Sequence, residues 1–310
     1  MKSRIAKTCA ALAVTGLAAT AFGQVTLDDL ASTAKINLPG ITTDGGRAGL
    51  ASLQRNVGGA ATVDELEDVI QQWYWIGIGN AAEQSIDNLV GTVGPMVSTT
   101  SFNSSGGNRV RAMYGTGGDV AVRVQYELSG GSVGSFKNQM TRIATIMNNS
   151  NSTQSVRFYS YSNLALTNIL AGPGSTIGFD PTTDETAVAL NASGSRIRQF
   201  DYLPGSVVVS DSTTIANPKP TAIQIGDAST LLAALNDGSP TTLDGTNDFG
   251  DPQGIQTDEV AFAYQWNIDL APGESFAIAE DLLITPEPST FIVLGGSGIL
   301  LALRRKTRRS

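Results

Sequence analysis

The 310-residue chain contains no histidine, which removes most arrangements in which a base takes the proton of a nucleophile. Gly130-Gly131-Ser132-Val133-Gly134 follows a predicted strand and spells the G-x-S-x-G pattern of a nucleophile elbow. With no imidazole to receive the serine proton, it reads as a glycine-rich hairpin turn. Gly77-Ile78-Gly79 begins like a dinucleotide loop but lacks the third glycine and any surrounding βαβ unit. Carboxylate chemistry remains. A glycosidase needs two acids across a cleft, and Asp184-Glu185, Asp258-Glu259 and Glu280-Asp281 are the candidates. Neighbours in a strand point to opposite faces, so no such pair is ready-made for catalysis, and solvated surface acids are the expectation.

Calcium needs only oxygen ligands. The stretch 236–251 holds Asp237, Asn247 and the candidate ligands Asp244, Asp248 and Asp251 among glycines. Phe249 stands where an EF-hand loop requires its glycine, and turn-forming Asx residues explain the same composition. No other cofactor is expected. Aromatic rings could stack on sugars, with Trp73, Tyr74 and Trp75 as the candidate platform and Phe158, Tyr159 and Tyr161 as a second group. The competing reading is core, because each ring buries so much area.

The elements that must position these groups read as strands. Val260, Phe262, Tyr264, Trp266, Ile268 and Leu270 alternate with small or polar residues, Ala271-Pro272-Gly273-Glu274 supplies a turn, and Phe276 and Ile278 resume the alternation. That pair reads as a hairpin. A second clean strand is Val120, Val122, Val124, Tyr126 and Leu128, with Arg123, Gln125 and Glu127 on its other face. Extended neighbours are expected over 108–114, 136–147 and 156–161, and shorter runs over 187–190, 197–202, 207–210 and 222–225. Two short helices are expected: one from the capping box Thr62/Glu65, and one over 228–235. Many short strands without long helical patterns argue for an all-β fold, an antiparallel sandwich, with a smaller subregion to about residue 100.

Both ends read as addresses. Lys2, Arg4 and Lys7 precede an apolar run, and Ala21-Phe22-Gly23 suits a signal peptidase, so residues 1–23 are expected to be a leader cut before Gln24. The single cysteine, Cys9, falls inside it. At the other end, 291–303 is uncharged and is followed by Arg304, Arg305, Lys306, Arg308 and Arg309. That pattern predicts a short transmembrane helix with the C-terminus in the cytoplasm and the body, 24–285, outside. The body carries 12 basic against 27 acidic residues, a balance that makes nucleic acid an improbable partner.

Pro286-Glu287-Pro288-Ser289-Thr290, the glycine-containing apolar run and the arginine-rich end together resemble the PEP-CTERM sorting signal of bacterial surface proteins. The resemblance covers 286–310 and implies recognition and processing by an exosortase, a membrane enzyme. The segments QQWYWIGIGNAAEQSIDNL and AFAYQWNIDLAPGESFAIAEDLL also look similar to stretches of uncharacterised PEP-CTERM proteins, with no catalytic residues attached. These readings combine into an expectation of a noncatalytic, secreted or surface-displayed protein of the envelope or polysaccharide matrix, transiently anchored in the inner membrane. A carbohydrate-binding module is the alternative, and a carboxylate-only glycoside hydrolase the second alternative.

Overall fold

Strand-period alternation of apolar and polar side chains organises nearly all of the described chain. The computed structural model describes residues 24–30, 32–38, 48–55, 71–89, 91–98, 107–131, 138–163, 176–180, 185–189, 195–200, 206–209, 213–216, 220–243 and 260–286. In chain order the strands are β1 (Gln24–Asp29), β2 (Ser32–Asn37), β3 (Gly49–Arg55), β4 (Gln71–Ile78), β5 (Gln84–Ser85), β6 (Thr92–Ser98), β7 (Arg109–Tyr114), β8 (Val120–Gly130) and β9 (Asn138–Asn148). They continue with β10 (Gln154–Asn163), β11 (Thr176–Asp180), β12 (Glu185–Ala189), β13 (Ser195–Phe200), β14 (Ser206–Val209), β15 (Thr213–Ala216), β16 (Ala222–Asp227), β17 (Val260–Leu270) and β18 (Ser275–Pro286). One helix, α1 (Ala228–Ala234), follows β16.

Two antiparallel sheets result. The first runs β1-β2-β3-β4-β10-β17-β16, with β5 on β4; the second runs β11-β12-β13-β18-β9-β8-β7-β6; β14 and β15 pair separately. Because successive side chains leave opposite faces, the second sheet turns Val122, Val124, Ile146, Ile278 and Leu282 inward. They meet Phe158, Tyr264 and Trp266 of the first sheet in one continuous apolar core.

The turn at 271–274 does not close a hairpin. β17 pairs with β10 and β16 in the first sheet, whereas β18 pairs with β9 and β13 in the second. The alternation was legible, but partner choice depends on what each strand meets across the core. The connection is an arch from sheet to sheet, and the link from β9 to β10 is another. Asn148, buried at the foot of both, donates from Nδ2 to the carbonyls of Ser152 (2.8 Å), Leu270 (2.8 Å) and Ala271 (3.1 Å).

Helix α1 starts where Asp227 caps it, its carboxylate accepting from the Thr230 N–H at 2.8 Å. The expected capping box at Thr62 lies outside the described residues. So does the expected span 291–303 with its basic cluster. Among the described residues no helix is long and apolar enough to cross a membrane. The fold class is therefore corrected to a two-sheet antiparallel all-β architecture with one short helix. The transient membrane anchor, the orientation deduced from it and the exosortase as partner find no support in this fold.

Candidate functional site

Among the described residues, three arginine–glutamate pairs, each straddling neighbouring strands or a strand and a loop, organise the polar groups. The innermost is a row set by register. Tyr126, Arg142 and Glu280 stand directly opposite one another on β8, β9 and β18, all facing the first sheet. Across the core, Tyr74 and Gln72 of β4 stand opposite Ser160 and Ser162 of β10. The Tyr74 hydroxyl donates to Glu280 Oε2 at 3.2 Å, Arg142 Nη2 lies 3.4 Å from the same oxygen, and the Tyr126 hydroxyl donates to Gln72 Oε1 at 3.3 Å. Burial, with Glu280 next in weight, pushes the Tyr74 phenol well above its ordinary pKa, and burial likewise raises Tyr126.

That row is enclosed. The Arg142 and Glu280 side chains are 1% and 0% exposed, and among the described residues Arg142 Nε and Nη2, Glu280 Oε1, Gln72 Nε2 and the Ser160 and Ser162 hydroxyls have no hydrogen-bond partner. Glu280 is thus not the solvated surface acid expected from its sequence. Its neighbour Asp281 faces the other way and accepts from Gln139 Nε2 at 2.8 Å, as strand parity requires. The row joins the two sheets and fixes which residue of β4 meets which residue of β18.

The second pair holds a covering segment in place. Glu83 Oε1 accepts from Arg157 Nε (2.9 Å) and from the Tyr159 hydroxyl (3.0 Å), while Glu83 Oε2 accepts from the Thr241 N–H (2.8 Å). A Cβ on Gly77 would come within 2.7 Å of Arg157 Nη2, so the first glycine of the apparent dinucleotide loop leaves room for this pair, while Gly79 is set by its φ of +59°. With α1 and the segment 236–243 secured, Tyr161 donates to the Ala228 carbonyl (3.1 Å) and Trp75 Nε1 donates to Asn236 Oδ1 (3.1 Å). Trp73 donates to Ser85 Oγ at 2.7 Å and meets Tyr114 edge-on. Trp73, Tyr74 and Trp75 are all buried, none more than 3% exposed, so the candidate sugar platform is core.

The third pair is partly exposed, although Gln125 beside it is buried. On the outer side of the second sheet, Arg109 places Nε (3.0 Å) and Nη2 (2.7 Å) on Glu127 Oε2, and Arg111 Nε donates to Gln125 Oε1 at 2.8 Å. Gln125 Nε2 donates onward to Glu127 Oε2 at 3.5 Å. The next rung sets Arg123 opposite Met113, with no hydrogen bond or ion pair among the described residues. The Arg109 and Glu127 side chains are 22% and 30% exposed. Ile143, directly opposite Gln125, joins Ala277 and Ala279 in a separate small buried cluster on this side, and β14 and β15 pack against β18. Composition alone did not single out this ladder; the signal was arginine recurring on the polar parity of two adjacent predicted strands.

Other expected sites fall elsewhere. Gly130 closes β8 against β1, where a Cβ would lie 1.9 Å from the Asp29 carbonyl oxygen, so the first glycine of G-x-S-x-G is a packing requirement. Ser132, the calcium candidates Asp244, Asp248 and Asp251, and the acids Asp184, Asp258 and Glu259 lie outside the described residues. Asp237 accepts from the Ser239 N–H, the Asx turn expected of it. Among the described residues no cluster of three potential metal ligands occurs. Of the sorting box only Pro286 is described, its backbone paired with Ser195 at the end of β18; Glu287 through Thr290 lie beyond.

No family model matches the chain, and no curated protein matches it. Several solved structures are similar in shape. A heparan sulfate lyase HepC mutant from Pedobacter heparinus aligns with 86% of this chain at TM-score 0.42 and 8% identity, the chain spanning 36% of its length. A putative aldose 1-epimerase from Escherichia coli K12 gives 0.38 and 10% over 85% of this chain and 99% of its own. A galactose mutarotase-like protein from Lactobacillus casei gives 0.40 and 12% over 84% and 100%. These matches are to carbohydrate enzymes and not to an exported structural protein. The expectation of a noncatalytic, exosortase-sorted component of envelope or matrix, and the location deduced with it, is corrected accordingly. At such scores the likeness transfers no activity to this chain.

Proposed function

We propose that the chain is a carbohydrate-binding module that grips its glycan with the outer face of β7 and β8. One observation carries this reading: planar polar side chains are held in line along one strand face, Arg109 on Glu127 and Arg111 on Gln125, with the half-exposed Arg123 on the next rung. Guanidinium, amide and carboxylate groups offer fixed donors and acceptors to ligand hydroxyls. Their mutual bonds hold the rotamers before a ligand arrives, which lowers the entropy lost on binding. Rungs about 7 Å apart, two strand residues, suit an extended chain of repeating units.

The test is a panel of soluble polysaccharides followed by calorimetry and affinity electrophoresis. At least one is expected to bind the wild type, and Arg111→Ala with Arg123→Ala is expected to weaken that binding without altering the unfolding curve. A panel on which nothing binds refutes the proposal.

A further inference from the structure

We infer that the enclosed row between the two sheets is a binding site for water, held among Arg142, Glu280, Gln72, Ser160 and Ser162. Six polar atoms carry this. Arg142 Nε and Nη2, Gln72 Nε2 and the Ser160 and Ser162 hydroxyls can donate, Glu280 Oε1 can only accept, and none has a hydrogen-bond partner among the described residues. None of the five residues is more than 1% exposed. Register brings them together: Ser160 and Ser162 stand opposite Tyr74 and Gln72, and the row is tied across the sheets by Tyr74 on Glu280 and Tyr126 on Gln72. Val156 and Phe158 precede the serines on the same inward parity of β10. Packed sheets stand about 10 Å apart, and a serine reaches a much shorter way into that gap than a phenylalanine. β10 therefore leaves room at the level where the polar ends of β4, β9 and β18 converge.

The groups that face the guest decide its chemistry. Five of the six atoms donate, so the guest must accept; Glu280 Oε1 accepts, so the guest must also donate. Arg142 and Glu280 carry opposite charges, and an ion added beside them would leave a net charge far from solvent, which costs far more than burying a neutral group. Enclosure limits the guest to a few atoms. Water meets all of these conditions, and because each molecule accepts two hydrogen bonds, five donors call for about two or three molecules. Bridged in this way, the row joins the sheets through bonds that the direct contacts leave unmade: Arg142 Nη2 stops 3.4 Å short of Glu280 Oε2. A molecule enclosed there leaves only when the packing around it opens, so its residence time measures that opening.

The experiment combines deuteron magnetic relaxation dispersion of the full chain, which counts long-lived internal water, with a crystal structure of the wild type grown in sodium bromide. The dispersion amplitude is expected to fall in Ser160→Ala with Ser162→Ala, which removes two of the donors, and to fall further in Arg142→Met with Glu280→Leu, which removes the charged pair. Near-ultraviolet circular dichroism checks that each variant keeps its native packing. An amplitude unchanged in both folded variants overturns the inference. The wild-type crystal decides it independently of any variant: water density bonded to Arg142 Nε or Glu280 Oε1 supports the site, whereas direct bonds among the six atoms with nothing between them overturn it. An anomalous bromide peak beside Arg142 assigns the site to an anion and overturns the neutral guest.

Discussion

Arg142–Glu280 and Arg109–Glu127 occupy opposite faces of one sheet. The inner pair is long, 3.4 Å, and leaves guanidinium and carboxylate atoms without partners. The outer pair is short, 2.7 Å, with two nitrogens on one oxygen and both side chains partly exposed. Identical chemistry therefore has opposite consequences on the two faces. Inside, each charge has left water and depends on its neighbour, so the pair constrains the fold. Outside, both side chains are partly exposed, and the pair adds little stability. Glu83–Arg157 is intermediate, its acid buried and its guanidinium partly wet.

That gradation can be broken from the inside outward. Glu280→Ala is expected to cost about 3–5 kcal/mol in urea unfolding, because Arg142 is left charged and buried. Replacing both partners, Arg142→Met with Glu280→Leu, should restore stability to within about 1 kcal/mol of wild type or exceed it; a double variant as unstable as the single one would refute this account of the inner pair. Glu83→Ala should cost about 2–3 kcal/mol, since Arg157 Nε and the Thr241 N–H lose their acceptor while the Tyr159 hydroxyl keeps the Thr241 carbonyl. Near-wild-type stability there would mean that the covering segment is held by something else.

Alkali probes the same contrast without mutation. Burial raises the phenol pKa values of Tyr74, Tyr114, Tyr126 and Tyr159 in the folded protein. The unfolded chain releases these protons from about pH 10, the native one only higher, so their stabilising effect is complete below about pH 10 and declines above it. The urea midpoint should fall between about pH 9 and about pH 11 while the phenolate absorbance of the native protein lags behind. An unchanged midpoint would contradict the enclosure of these rings. The smallest effect belongs to the outer pair: Glu127→Ala should change stability by less than about 1 kcal/mol, and a larger loss would show that the outer face is not open in solution.

Strand existence was legible because parity is written in residue type, as in Val120 through Leu128 and Val260 through Leu270. Parity divides a strand into two faces without saying what covers either. Trp75 and Tyr161 sit on a face closed by α1 and 236–243, while Arg111 and Arg123 stay half-exposed, and only the packing of distant segments makes that distinction. Glu280 illustrates the same limit. Its place on the inward parity beside Ile278 and Leu282 was visible, but its partners Arg142 and Tyr74 lie far away in sequence, so an enclosed ion pair could not be told from a solvated acid. The turn at 271–274 misled for a related reason: local chemistry specifies a reversal, and only the partners β9 and β10 decide whether the returning strand stays in its sheet.

The two sheet-to-sheet arches bear on the order in which the protein can assemble during synthesis. β9 and β10 leave the ribosome well before β18 and β17, which lie beside them in the finished sheets but are made about a hundred residues later. At about 5–20 residues per second, both strands wait for seconds with one edge lacking its native neighbour. An unpaired edge of that kind is where a nascent chain joins its neighbours into aggregates, so the molecule is most exposed to misassembly just before translation delivers its closing pair.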